Sequence, residues 1–365
     1  MQPFVPTYRR PLFDAIGMRL AAENLRLEVW HDFPKGRVAA RGNAASGEWS
    51  SPIRQHRLSI GRRNVTYRNV RERSRGAVAV VAGLASTNLE TYGLAFDPRV
   101  NLMLWGHGKN FTARNNPVDA KLERWLTKRS SHLFTYTDEG KQHLVEHGVP
   151  HSRVTVVYNS TDTESLRHAR SAVTEAEISA IRQRYQLGQA RVALFVGAFD
   201  GPKRLPFLIE ALDEVHRTHP ELITLLAGAG PDEETLREAA STRPYVQVIG
   251  RLDAAGLAGM SHVAELIVMP GRVGLVAVDA LALGLPIVTT EYPFHAPEAS
   301  YLTSGHDSLW TKFEVGAYAD GISNLLENDA ELHRLARNAR ATGVGFSVDQ
   351  SAQHFVSGIM SGLGR

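Results

Sequence analysis

Residues 269–290 read MPGRVGLVAVDALALGLPIVTT. A Pro-Gly turn ends an apolar run (AELIVMP, 264–270), and a second glycine, Gly274, opens a stretch with helical spacing. Gly-Leu-Pro then leads into a strand-like IVTT. Strand, glycine turn, helix and strand in this order mark a parallel α/β unit, in which ligands meet the carboxyl ends of the strands. Backbone amides at a helix start attract phosphate, and glycines let a ligand approach the backbone closely. Gly274, Leu275 and Val276 are therefore candidate phosphate ligands. Asp279 lies five residues after Gly274, little more than one turn into the helix, where its carboxylate can accept hydrogen bonds from hydroxyls beside a bound phosphate. The same residues also read as an ordinary packed helix with a favourable acid near its N-terminus.

The same rhythm runs outward in both directions. Before the quoted stretch come a strand (RVALFVGAF, 191–199), a helix (204–220), a strand (LITLLAGAG, 222–230), a helix (231–241) and short strands at 246–250 and 264–270. An earlier series has strands at 77–85, 100–108, 131–137 and 153–159 and a helix at 138–148, followed by an exposed helix at 173–188. Strands that alternate with helices imply parallel sheets covered on both faces. The expected fold class is α/β, with two Rossmann-like parallel-sheet domains facing a cleft. Residues 1–172 form the first domain and 173–346 the second, and a helix at 347–363 is expected to pack back on the first. Only MQPFV precedes the turn PTYRRP, so the first strand is expected to be very short, or to begin upstream.

The 365 residues suit about two domains and carry 43% hydrophobic residues, enough for sizeable cores. There are no cysteines, which excludes disulfides and thiolate metal sites. No apolar run approaches ~18 residues, and the start lacks the apolar segment of a signal peptide. The expected location is cytoplasmic. Net charge is +3, unevenly spread: residues 1–160 hold 24 Lys/Arg against 13 Asp/Glu, and residues 161–365 hold 17 against 25. The first half, at +11, suits an anionic partner, and the second stands at −8. A solvated Arg-rich surface explains the same numbers.

Four further stretches carry candidate chemistry. In VGAFDGPKR (196–204), Lys203 and Arg204 follow a glycine-rich turn after a strand, a point charge and a fork suited to a diphosphate. In LWGHGKN (104–110), His107 stands between glycines at a strand exit, able to donate to a sugar hydroxyl or a leaving group. In TYRRPLFDAI (7–16), Tyr8, Arg9 and Arg10 are expected to point from a strand-to-helix loop towards an acceptor or a phosphate. In EYPFHAPEASYLTSGHDSLW (291–310), Glu298 follows Pro297 and is expected to open a short helix and to contact a sugar hydroxyl. Each also reads as a structural or surface residue. No zinc pattern, phosphate-binding P-loop or nucleophile elbow occurs.

Taken in order, these segments resemble the retaining glycosyltransferases of the GT-B fold, in the large family four that uses nucleotide-sugar donors. The likeness runs over nearly the whole chain, including HLFTYTDEGKQHLVEHGVPHSRVTVVYNSTD (132–162). It implies that Lys203 binds the donor diphosphate and that Gly274, Leu275 and Val276 supply amides beside it. It implies further that Asp279 binds the ribose and that His107 lies near the transferred sugar, while Glu298 matches a family Glu after the next strand. Two positions depart from the pattern. The first of two Glu separated by seven residues falls on Gly271, and the Arg five residues before the lysine falls on Ala198; Arg204 or Arg272 is a candidate replacement for the lost charge. The Pro-Gly-x-Val-Gly-Leu and His-x-Pro-Glu segments look closest to capsule- and lipopolysaccharide-type members.

The resemblance implies transfer of a sugar from a nucleoside-diphosphate sugar to an acceptor hydroxyl, with retention, without a cofactor and without a required metal. The expected partners are the nucleotide-sugar donor and a glycan or lipid-linked acceptor. The basic first half adds an anionic membrane surface, with peripheral association at its inner face. Nucleic acid is not expected. Two alternatives stay open: an acceptor that is a soluble small molecule, and a nucleotide-sugar-binding protein without transferase activity.

Overall fold

A computed structural model describes residues 1–33, 44–60, 63–108 and 117–365. The chain divides into two compact units, Met1–Thr161 with Val348–Arg365, and Asp162–Ser347.

In the first unit, β1 (Val29–His31) and β2 (Ser50–Pro52) pair in parallel, and β3 (Gln55–Ile60) and β4 (Arg63–Arg68) form an antiparallel hairpin. The strands β5 (Val80–Gly83), β6 (Leu102–Gly106), β7 (His132–Thr135) and β8 (Val154–Val156) form a parallel sheet in that order. The opening MQPFV contributes only a bridge, the Gln2 amide donating to the Trp30 carbonyl at 2.9 Å. The hairpin interrupts the expected alternation.

The helix Val348–Gly362 belongs to this unit and packs on the helix Arg10–Ala22 and on β7. It buries Ala352, Phe355, Val356 and Ile359, with Phe355 stacked on Phe134 at 4.4 Å between centroids. Gly358 and Gly362, one turn apart, make this approach possible. A Cβ on Gly358 would lie 2.4 Å from the Phe134 ring, and one on Gly362 would lie 2.5 Å from Met103.

The second unit is built on a six-stranded parallel sheet. Its strands are β9 (Arg191–Ala198), β10 (Leu222–Ala229), β11 (Val246–Gly250), β12 (Leu266–Met269), β13 (Ile287–Thr290) and β14 (Ser308–Thr311). Their spatial order is β11-β10-β9-β12-β13-β14. Val192, Ala193, Leu194 and Phe195 are fully buried, as a strand covered on both faces requires. The order reverses between β9 and β12, so the loops after these two strands leave in opposite directions and open a crevice at their carboxyl ends.

The helix Thr163–Ala172, which the sequence assigned to the first domain, contacts the helices Ala254–Met260 and Val276–Leu283 of the second unit. Its N-terminus is capped by the Asp162 carboxylate, which accepts from the Ser165 amide at 3.1 Å. Arg170 ties its other end to Ser261 Oγ at 2.9 Å, and Leu166 buries its apolar face.

Candidate functional site

The switch point of the second unit is lined by the turn after β9 and the loop after β12. After β9 the chain makes a 3₁₀ turn, Gly201–Lys203. Arg204 then takes a left-handed conformation (φ 57°) that turns the chain into the helix Leu205–Thr218, which has Pro206 in its first turn. Arg204 lays its guanidinium over the Phe313 ring at 5.5 Å.

Lys203 is half-buried and donates from Nζ to the Arg272 carbonyl at 2.6 Å. Burial strips water from the ammonium and pulls its pKa down to about 8, and the Arg272 guanidinium lowers it further. The Asp200 and Glu298 carboxylates act in the opposite sense. Lys203, Asp200, Arg272 and Glu298 therefore share one electrostatic neighbourhood. Glu298 is 6% exposed, on the 3₁₀ turn Pro297–Tyr301.

The loop after β12 is pinned from several sides. The Thr289 and Thr290 hydroxyls donate to the Met269 and Pro270 carbonyls, both at 2.7 Å. The Arg272 amide donates to the Pro202 carbonyl at 2.9 Å, which joins the two loops. Gly271 lies at that junction. A Cβ there would stand 2.4 Å from the Pro202 oxygen and 2.6 Å from the Lys203 oxygen. Glycine at 271 is thus a packing requirement of the Lys203 turn.

The Val273 amide donates to His295 Nδ1 at 3.0 Å. Among the described residues, the amides of Gly274, Leu275 and Val276 have no hydrogen-bond partner. They stand at the start of the helix Val276–Leu283, where the helix dipole presents partial positive charge. Asp279 is half-buried in the first turn of that helix. The arrangement offers an ammonium and free amides to an anion, with a carboxylate one turn away. Lys203, Arg272, Glu298 and the 274–276 amides come together on one side of the sheet, while Arg204 is engaged with Phe313.

The first unit gathers a separate cluster at the carboxyl ends of β6 and β7. Arg9 donates to Gln2 Oε1 at 2.8 Å and to the Tyr136 hydroxyl at 2.9 Å. Its guanidinium lies 4.9 Å from the Trp105 ring and 5.7 Å from that of Tyr8. His107 is exposed and packs its ring against Tyr136 at 4.9 Å. Gly140 holds the neighbouring backbone in place, since a Cβ there would meet the His107 carbonyl at 2.2 Å. Tyr8, Arg9 and His107 are thus brought together. Arg10 is not among them: it lies on the exposed face of the helix Arg10–Ala22 and pairs with Asp14 at 3.6 Å. Lys109 and Asn110 of LWGHGKN lie outside the described residues.

Sequence reasoning assigned no role to Asp200 or His295. Asp200 lies inside the quoted VGAFDGPKR, three residues before the lysine, and His295 opens the His-x-Pro-Glu segment that was noted only as a likeness. Among the described residues, no group of three His, Asp or Glu is placed to hold a metal ion.

Residues 177–342 match the model of the family described as Glycosyl transferases group 1. The alpha-D-kanosaminyltransferase of Streptomyces kanamyceticus is 25% identical over 237 residues, 63% of this chain and 60% of that protein. The glycogen synthase of Mycobacterium tuberculosis is 26% identical over 227 residues, 60% of this chain and 51% of the relative. The phosphatidyl-myo-inositol mannosyltransferase of the same organism is 26% identical over 172 residues, 44% and 45% of the two chains. The matches thus span about half to three-fifths of these relatives' length. Among solved structures, the sucrose-phosphate synthase of Thermosynechococcus elongatus superimposes with a TM-score of 0.66 at 17% identity, over 97% of this chain and 94% of that one. Anabaena HepE in complex with UDP-glucose gives 0.63 at 16% identity, over 97% and 94%. These likenesses show the GT-B fold. The family match and the relatives support the group 1 glycosyltransferase family, with the segment that matches the family model lying wholly in the second unit.

Proposed function

We propose that this chain is a glycosyltransferase that moves a sugar from a nucleoside-diphosphate sugar to an acceptor hydroxyl, with retention, in the assembly of a cell-surface polysaccharide or glycolipid. The observation that carries this reading is the bond from the Lys203 ammonium to the Arg272 carbonyl, two residues before the unpartnered amides of Gly274, Leu275 and Val276. A diphosphate seated there accepts hydrogen bonds from the amides and faces the ammonium. As the sugar–phosphate bond breaks, charge grows on the departing diphosphate, and these groups stabilise it without reorganising. Asp279 takes the ribose hydroxyls. Arg272 supplies the second cation, and Glu298 reads the sugar. His107, Tyr8 and Arg9 serve the acceptor side. Retention follows from the family resemblance, with the donor phosphate itself taking the acceptor proton in a front-face attack.

Anabaena HepE in complex with UDP and with UDP-glucose supports the donor class. The +11 charge of residues 1–160 supports an acceptor on a phosphate-bearing lipid at a membrane surface. Among the described residues no helix is long and apolar enough to cross a membrane, so the association would be peripheral. Screening a panel of nucleotide sugars by thermal shift and by transfer to lipid-linked and soluble acceptors tests the reading. A donor that stabilises the protein and is turned over supports it. Gly271 favours a second reading, a nucleotide-sugar-binding protein without transfer, because the family's Glu is sterically barred there. Donor binding with no turnover on any acceptor would select it.

A further inference from the structure

We propose that His295 is the positioning residue of the donor site: its neutral, Nε2-protonated ring holds the turn that presents the Gly274–Val276 amides. The inference rests on the donor-site reading above and extends it to a residue outside the ligand's own contacts. Both ring nitrogens are engaged. The Val273 amide donates to Nδ1 at 3.0 Å, and Nε2 donates to the Thr290 carbonyl at 2.8 Å. One tautomer alone satisfies both bonds, with Nδ1 bare and Nε2 carrying the proton. The Ala296 amide donates to the Val273 carbonyl at 2.9 Å, so Val273 is gripped at both its polar groups. Val273 is fully buried and directly precedes Gly274. Its position therefore decides where the three free amides point.

The pocket around the ring is made for the neutral form. Tyr292 and Trp310 stand roughly edge-on to it at 5.7 and 5.2 Å. The charged groups facing it are Lys203, from the turn after β9, and Arg272, from the loop after β12; both are cations. Burial first, and then these cations, hold the imidazole below its ordinary pKa, against the opposing pull of the Thr290 carbonyl. A second proton at Nδ1 would set a donor against the Val273 amide, break that bond and release the turn.

The test uses UDP-glucose, whose diphosphate diester takes up no proton between pH 5 and 8. Wild-type protein should bind it with an affinity that falls on the acid side as the ring charges. His295→Ala should bind about tenfold more weakly at pH 7, the size of one or two lost hydrogen bonds, and show no acid limb. His295→Asn, whose side-chain oxygen can replace Nδ1 as acceptor, should recover most of that loss and also lack the limb. In transfer assays the loss should appear in the donor KM before kcat. An acid limb that survives in both variants, or an alanine variant with wild-type affinity, overturns the proposal. Hydrogen exchange at the Val273 amide, measured without nucleotide, separates the two claims. Protection that drops in His295→Ala and as wild-type His295 charges upholds the positioning role even if no UDP-glucose binds, an outcome that would sink the donor reading alone. Unchanged protection overturns the role.

Discussion

Two cations stand at the carboxyl ends of parallel strands, one in each unit, and they are held in opposite ways. In the first unit Arg9 is held by Gln2, the Tyr136 hydroxyl and the faces of Trp105 and Tyr8, with its buried Nε left without a partner among the described residues. In the second, Lys203 has a single short bond to a backbone carbonyl, and burial brings its pKa down to about 8. A guanidinium fixed among rings is a structural member that can present one edge to a partner. An ammonium that is half stripped of water, beside free amides, gains from an anion that replaces the missing solvent. The difference separates a cation tied into the scaffold from one that the proposed function makes a ligand, although both residues read alike in the sequence as basic residues in a loop.

The largest effect should come from removing the ligand cation. Lys203→Ala should lower sugar transfer by about 100- to 1,000-fold, the usual size for deleting one stabiliser of developing charge. Undiminished transfer in steady-state assays would break the comparison at its root. Restoring the family's acid should do harm: Gly271→Glu drives a side chain into the Pro202 and Lys203 carbonyls. A cost of about 1–3 kcal/mol in denaturant unfolding is expected, with weaker donor binding. An improved donor affinity would show that the turn yields and that the acid belongs there.

Arg9→Lys should sharpen the contrast from the other side. It keeps the charge and loses the planar stack and the forked bonds. Stability should fall by about 1–3 kcal/mol and the acceptor KM should rise, while calorimetric donor affinity stays within about twofold.

The most gradual effect, spread over several pH units, concerns a different titration in the first unit. Burial first, then Arg153 and Lys141, lower the His132 pKa from 6.5 to about 4. In the unfolded chain the ring binds its proton near 6.5, so its contribution is fully present above that pH. It is lost as pH falls towards 4, at up to about 1.4 kcal/mol per pH unit. Urea midpoints measured between pH 7 and 4 should show this slope, reduced in His132→Gln; equal slopes would remove His132 as the cause.

The second unit was largely legible because its strands are buried on both faces. RVALFV, LITLLA and LIVM are apolar runs bounded by glycine and proline, and each is observed as a strand. The first unit was less so. Its β3–β4 hairpin is polar and half-exposed, and its two-residue period does not stand out from an Arg-rich background. Thr163–Ala172 carries an apolar face, but nothing in its spacing says which sheet that face meets.

Lys203 and the 274–276 turn could be named from glycine spacing, since free amides at a helix start are a local property. His295 could not. Its role depends on a bond across 22 residues to the Val273 amide, which arises only when the β12 and β13 loops fold side by side. Gly271 read as a missing contact until the Pro202 and Lys203 carbonyls occupied the space above it.

The most direct test is the affinity for UDP between pH 7 and 9.5, by calorimetry, in wild-type protein and in Lys203→Ala. The free ammonium titrates near pH 8, whereas the terminal phosphate of UDP loses its last proton at about pH 6–7 and keeps a constant charge above pH 8, where the fall is read. Wild-type affinity should therefore hold at pH 7 and fall above pH 8 by up to about tenfold per pH unit, while the alanine variant binds weakly with a flat profile. A wild-type profile that is flat across this range, or one that keeps its alkaline fall in Lys203→Ala, would show that another group meets the diphosphate.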